Sequence, residues 1–215
     1  MNEDGIILVD KPAGVSSFGV VARVRRQLSE KAGRKVKVGH TGTLDPFATG
    51  LLILLSGKMT KKSGEFLKLD KVYEAVLKLG FVSATDDPEG ELREVSASQP
   101  NLATLESVVA SFVGEITQTP PIFSAIKING QRAYKLARRG EVPEMPRRKV
   151  TIYEMEILEY AYPVLKIRCR VSSGTYIRSL ARDIGEKLGT GAYLTELRRT
   201  KVGEYRVEDA EKIVL

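Results

Sequence analysis

Gly39-His40-Thr41-Gly42-Thr43-Leu44-Asp45-Pro46-Phe47-Ala48-Thr49-Gly50 is the most unusual stretch of this 215-residue chain. Three glycines and a proline fix the backbone path around one carboxylate, Asp45. Pro46 disfavours the α conformation at Asp45. A purely structural reading competes, because Asp followed by Pro is also a favourable cap and first-turn pair for a helix. His40, taken alone, fits a structural hydrogen-bonding role as readily as a chemical one.

The apolar run that follows, residues 51–55, has the length of a core strand. Upstream, residues 5–9 read as a short strand and residues 11–14 as a turn. Ser17 is a plausible cap for a helix over 18–30, with Phe18, Val21, Val24 and Leu28 on its inner face. Downstream, residues 72–80 alternate, placing Tyr73, Ala75, Leu77 and Leu79 on one face. Tyr73 there is compatible with an ordinary core tyrosine. The acidic run Thr85–Gly90 reads as a solvated turn, since its spacing does not suit calcium. Leu105, Val108, Val109 and Phe112 repeat at helical spacing, with Gly114 as the stop.

Asn129-Gly130 signals a hairpin, residues 147–157 and 165–171 read as strands, and Ile177, Leu180, Ala181, Ile184 and Leu188 form a helical stripe closed by Gly189. Arg178 lies one position off that stripe, where most arginines are solvated. Strands and helices mix without a regular βαβ rhythm. The expected class is therefore α+β, with a mixed, mostly antiparallel central sheet flanked by helices and loops. One domain over residues 1–215 is expected.

Composition narrows the function. The chain is 42% hydrophobic and 28% charged, as a soluble globular protein is. No apolar run reaches the ~20 residues of a membrane span. The opening Met1-Asn2-Glu3-Asp4 lacks the basic start of a signal peptide. A single cysteine excludes an internal disulfide. A cytoplasmic location is the expectation. Net charge is +7, and residues 117–149 alone carry +6, which points to a polyanionic partner. One His and one Cys are too few for a zinc site or a typical Cys–His dyad. No dinucleotide fingerprint follows a strand, and Gly57-Lys58-Met59 departs from a phosphate-binding loop.

Taken together, the segments resemble the bacterial TruB-type tRNA pseudouridine synthases. Residues 39–50 match the family's nucleophile motif. Five further blocks agree in order and spacing: Asp10-Lys11-Pro12-Ala13-Gly14-Val15-Ser16-Ser17, Lys71-Val72-Tyr73-Glu74-Ala75, Pro120-Pro121-Ile122-Phe123-Ser124-Ala125-Ile126-Lys127, Ser173-Gly174-Thr175-Tyr176-Ile177-Arg178 and Leu194-Thr195-Glu196-Leu197-Arg198-Arg199-Thr200.

The resemblance implies the pseudouridine-synthase catalytic fold, with isomerisation of a T-loop uridine, position fifty-five in tRNA numbering, and without cofactor or metal. It implies Asp45 as nucleophile, Arg178 as the group that pairs with it and orients it, and Tyr73 stacking on the flipped uracil with its hydroxyl available for proton movement at C5. Tyr176 and Leu197 would complete the substrate pocket, and His40 would fill the space the flipped base leaves. Residues 117–149 correspond to an RNA-gripping insertion. The implied partner is the tRNA T arm, with no membrane, no obligatory protein partner and a monomeric state. Relatives usually carry a small C-terminal PUA-like RNA-binding domain, which the chain is expected to lack. Two alternatives stand beside this reading: a guide-RNA-dependent synthase, and a non-catalytic RNA-binding or RNA-folding factor.

Overall fold

The computed structural model describes residues 4–212; the first three residues of the acidic opening lie outside them. In chain order the elements are β1 (Gly5–Lys11), α1 (Ser17–Ala32), β2 (Val38–His40), β3 (Thr49–Ser56), α2 (Ser63–Leu67), β4 (Lys71–Leu79), β5 (Phe81–Ser83), β6 (Leu92–Glu94), α3 (Leu102–Ala110), β7 (Gly114–Gln118), β8 (Lys127–Ile128), β9 (Gln131–Arg132), α4 (Ala133–Ala137), β10 (Arg148–Ala161), β11 (Val164–Val171), α5 (Ile177–Leu188), β12 (Ala192–Val202), β13 (Tyr205–Arg206) and β14 (Glu211–Lys212). The class is α+β with mixed, mostly antiparallel pairing, as expected. Among the described residues no helix is long and apolar enough to cross a membrane.

The chain forms two compact units. The first runs to Glu74 and resumes at Glu196; the second is Ala75–Thr195. In the first unit the strand order is β14-β1-β3-β12, with β2 beside β3 and β13 beside β12. β1 and β3 pair antiparallel from Gly5↔Ser56 to Lys11↔Gly50, whereas β3 and β12 run parallel. β3 is buried from Gly50 to Ser56, as its unbroken apolar run requires of a central strand. Leu51, Ile53 and Leu55 pack with Phe66, Val202 and Val207 in one core cluster.

Helix α1 begins one residue earlier than expected. Ser16, not Ser17, is its cap and accepts a hydrogen bond from the Gly19 amide at 3.0 Å. Its inner face is Val20, Val21, Val24 and Leu28, while Phe18 is 65% exposed. Phe18 belongs to the first turn, and the buried stripe starts at Val20 instead.

In the second unit the order is β4-β11-β10-β7. The alternation of β4 holds: Tyr73, Ala75, Leu77 and Leu79 are all buried. Helix α3 stops at Ala110 with Ser111 as its cap, so Gly114 opens β7 rather than closing the helix. Asn129 and Gly130 both take positive φ, 50° and 82°, and join β8 to β9 as the hairpin signal required. Helix α5 ends at Gly189 in the left-handed conformation. Within it, a Cβ on Gly185 would lie 2.1 Å from the Ala192 amide nitrogen, so only glycine permits this approach of helix to strand.

Candidate active site

The loop carrying Asp45 leaves β2 at His40 and rejoins the sheet at Thr49. No helix starts at Pro46, so the capping explanation for Asp-Pro fails. The loop is held by main-chain and buried polar contacts within the first unit. The Gly14 amide donates to Pro46 O at 2.8 Å, and the Ala48 amide to Asp45 O at 3.1 Å. The Ser17 hydroxyl accepts from the Leu44 amide at 2.8 Å and donates to Leu44 O at 2.9 Å.

Two cations complete the frame. The Lys11 ammonium, with its side chain fully buried, donates to Val15 O at 2.7 Å, Pro12 O at 2.8 Å and Pro46 O at 3.1 Å. Arg199, also buried, donates from Nε to Leu51 O at 2.8 Å and from Nη2 to Gly42 O at 3.1 Å. Gly50, at φ +101°, lies so close to the main chain of Arg199 that a Cβ would sit 2.3 Å from its carbonyl oxygen. The half-buried Asp45 carboxylate is thereby presented on a backbone with little freedom.

These groups tune one another. Burial pushes the Lys11 ammonium down to about 8, against the pull of Asp45 and with the repulsion of Arg199. Lys71, which donates to Leu67 O at 2.7 Å and to Leu69 O, is brought to about 8 by burial and by Arg199, against Asp70. Burial and then Arg199 lower His40 below its ordinary value, so its imidazole is neutral at pH 7. His40 Nδ1 accepts a long hydrogen bond, 3.4 Å, from the Gly42 amide. Tyr73 and Leu197 are both buried, and Leu197 O accepts from the Thr49 hydroxyl at 3.5 Å.

The second unit carries Tyr176 and Arg178. Arg178 is only 4% exposed, which rules out a solvated helix arginine. Its Nη1 lies 3.1 Å from both Asp87 Oδ2 and Thr85 O, and its Nη2 donates to Phe123 O at 2.8 Å. Arg182 similarly meets Asp86 Oδ2 at 2.9 Å and Thr119 O at 3.0 Å. The turn read as solvated is thus a buried acceptor for two α5 arginines: Asp87 is 4% exposed, and burial raises the Asp86 carboxyl against the pull of Arg182 and Arg178. Tyr176 is clamped by its main chain. Its amide donates to Gln118 Oε1 at 2.8 Å, and its carbonyl accepts from Gln118 Nε2 at 3.0 Å. Among the described residues no three His, Cys, Asp or Glu side chains gather as metal ligands.

Of the residues named from sequence, the first unit holds His40, Asp45, Tyr73 and Leu197, and the second holds Tyr176 and Arg178. Sequence reasoning gave no role to Lys11, Arg199, Asp87 or Gln118. Lys11 and Arg199 do lie in two of the quoted blocks, which was the available signal.

Comparison with known proteins bears on this arrangement. The family model described as TruB family pseudouridylate synthase, N terminal domain, matches residues 25–177. That described as tRNA pseudouridylate synthase B C-terminal domain matches residues 178–214. The chain is 46% identical over 212 residues to the tRNA pseudouridine synthase B of Phocaeicola vulgatus, covering 96% of this chain and 89% of that one. It is 48% identical over 216 residues to the protein of the same name from Thermobifida fusca, covering 96% and 72%. Among solved structures, one titled as a Cbf5-Nop10-Gar1 complex superposes with a TM-score of 0.73 at 30% identity, covering 98% of this chain and 53% of that one.

Proposed function

This chain belongs to the TruB family of pseudouridylate synthases, and on that premise we propose that it isomerises the T-loop uridine of tRNA, position fifty-five in tRNA numbering, to pseudouridine with Asp45 as nucleophile. The observation that carries the proposal is the Asp45 loop itself. A half-buried carboxylate sits on a backbone gripped by Lys11, Ser17 and Arg199. That is how a nucleophile is preorganised.

The reaction is an isomerisation. The bond from uracil N1 to the ribose breaks, a bond from C5 to the same ribose carbon forms, the C5 proton leaves and N1 regains one. No redox partner is consumed. The target base lies inside a folded loop and must be flipped out at a cost of a few kcal/mol. Tyr73, with an aromatic face and a hydroxyl, stacks on the uracil and serves proton movement at C5. Arg178, Tyr176, Leu197 and His40 take the roles set out from the sequence. The enzyme acts as a cytoplasmic monomer on the tRNA T arm and needs no obligatory protein partner.

The guide-RNA alternative has weaker support. The relatives at 46–48% identity are named tRNA pseudouridine synthase B, whereas the chain in the Cbf5-Nop10-Gar1 structure is 30% identical. A non-catalytic RNA-folding role would leave the rigid framing of Asp45 without a use. The deciding test is incubation with an unmodified tRNA transcript and mapping of pseudouridine at single-nucleotide resolution. A product confined to that T-loop uridine supports the reading, and a transcript left unmodified rejects it.

A further inference from the structure

We infer that Arg148 is a built binding site for one RNA phosphodiester, the one beside the flipped uridine; this rests on the proposed function and on the pocket role given there to Tyr176. Arg148 opens β10 directly opposite Gln118 of β7. Gln118, fully buried, holds Tyr176 by its amide and its carbonyl. The Tyr176 ring is thereby set under the Arg148 guanidinium, whose central carbon lies 4.8 Å from the ring centroid. On the adjoining turn, a Cβ at Gly174 would come within 3.3 Å of Arg148 Nη1, so the turn lies close against the guanidinium.

Three other cations of these strands have carboxylates. Lys149 meets Glu115 at 2.7 Å, Arg168 meets Glu156 at 2.8 Å, and Arg170 meets Glu154 at 2.9 Å. Arg148 has an aromatic face instead. Its Nε and Nη2 are covered and find no acceptor among the described residues. A covered guanidinium donor without an acceptor is costly, and the fork it presents suits two oxygens of one phosphate. A tyrosine face beside the guanidinium attracts it without neutralising its charge. RNA binding has to uncover these donors for the phosphate to reach them. Guanidinium and ring then hold the two ends of one nucleotide.

The test measures binding of the 215-residue chain to tRNA across a salt series. Two tRNAs carry a neutral methylphosphonate at one or the other phosphate flanking the target uridine. Arg148→Gln is expected to weaken binding to unmodified tRNA about tenfold and to reduce the log–log salt slope by about one unit. Arg148→Lys should keep the slope and lose affinity. One of the two methylphosphonates should weaken wild-type binding and leave Arg148→Gln unaffected. A slope unchanged in Arg148→Gln, or methylphosphonates that weaken both proteins equally, would overturn the assignment. The methylphosphonate arm on wild-type enzyme needs no variant to fold. Because every reading is of binding, the site is decided whether or not turnover occurs; absence of pseudouridine would count against the Asp45 chemistry instead.

Discussion

The Lys11 ammonium donates to the carbonyl of Pro46 across 3.1 Å, and Pro46 is the residue directly after Asp45. A buried cation thus fixes the main chain beside Asp45 while its charge acts on the same carboxylate. Lys11→Met keeps the stem and removes every donor, leaving three carbonyls to find other partners. Stability should fall by about 2–4 kcal/mol, read by urea unfolding, on the scale of buried polar groups left unsatisfied. A loss under about 0.5 kcal/mol, within the range of ordinary surface substitutions, would show that Lys11 does not hold the loop.

The same group gives a pH dependence with two opposite signs. The folded Lys11 value, about 8, lies below its ordinary 10.5. Between those values the unfolded chain binds the additional proton, so the contribution of Lys11 to stability rises with pH through that window. Activity should move the other way, because losing the Lys11 charge removes a donor from the loop and a cation beside Asp45. The prediction is a fall in single-turnover rate above about pH 8 without unfolding. In Lys11→Met that limb should vanish.

Arg178 and Asp87, 4% and 6% exposed at their side chains, form a buried ion pair. Asp87→Ala removes the carboxylate and leaves the guanidinium covered, which should cost about 3–5 kcal/mol of stability. Arg178→Lys keeps charge but loses the fork that reaches Asp87, Thr85 and Phe123 together. It should reduce the single-turnover rate even where the protein remains folded. An Arg178→Lys enzyme with wild-type rate would remove Arg178 from the working site.

The basic segment is also testable. Arg139 is already engaged, with Glu141 at 2.9 Å and Gln131 at 2.7 Å, while Arg138 sits 5.5 Å over the Tyr134 ring. Neutralising both should flatten the salt dependence of tRNA binding by roughly one unit per lost phosphate contact. Arg138 alone should account for most of it. Equal contributions from the two would mean that the Arg139–Glu141 pair opens on RNA.

Local signals explain what could be read in advance. Glycine, proline and apolar spacing located β3, the β4 face, the β8–β9 hairpin and the stretch around Asp45. The residues that hold the site were harder, because their partners are remote in sequence. Lys11 reaches Pro46 across 35 positions and Arg199 reaches Gly42 across 157. A lysine is among the residues least expected to be fully buried, so composition argued against it. Asp86 and Asp87 read as solvated for the same reason, since their arginines lie on α5. Adjacent serines hid the start of α1: Ser16 caps the helix, which frees Ser17 for Leu44.

Asp45→Asn is the most direct measurement of the central claim. The substitution keeps side-chain size and a carbonyl oxygen but removes the negative charge. Wild type and variant are incubated with the same unmodified tRNA transcript, with tRNA affinity measured in parallel. Wild type should convert the single T-loop uridine, and Asp45→Asn should bind tRNA nearly as well yet form no pseudouridine. Turnover by the variant within about tenfold of wild type, less than ~1.4 kcal/mol of barrier, would contradict Asp45 as the nucleophile.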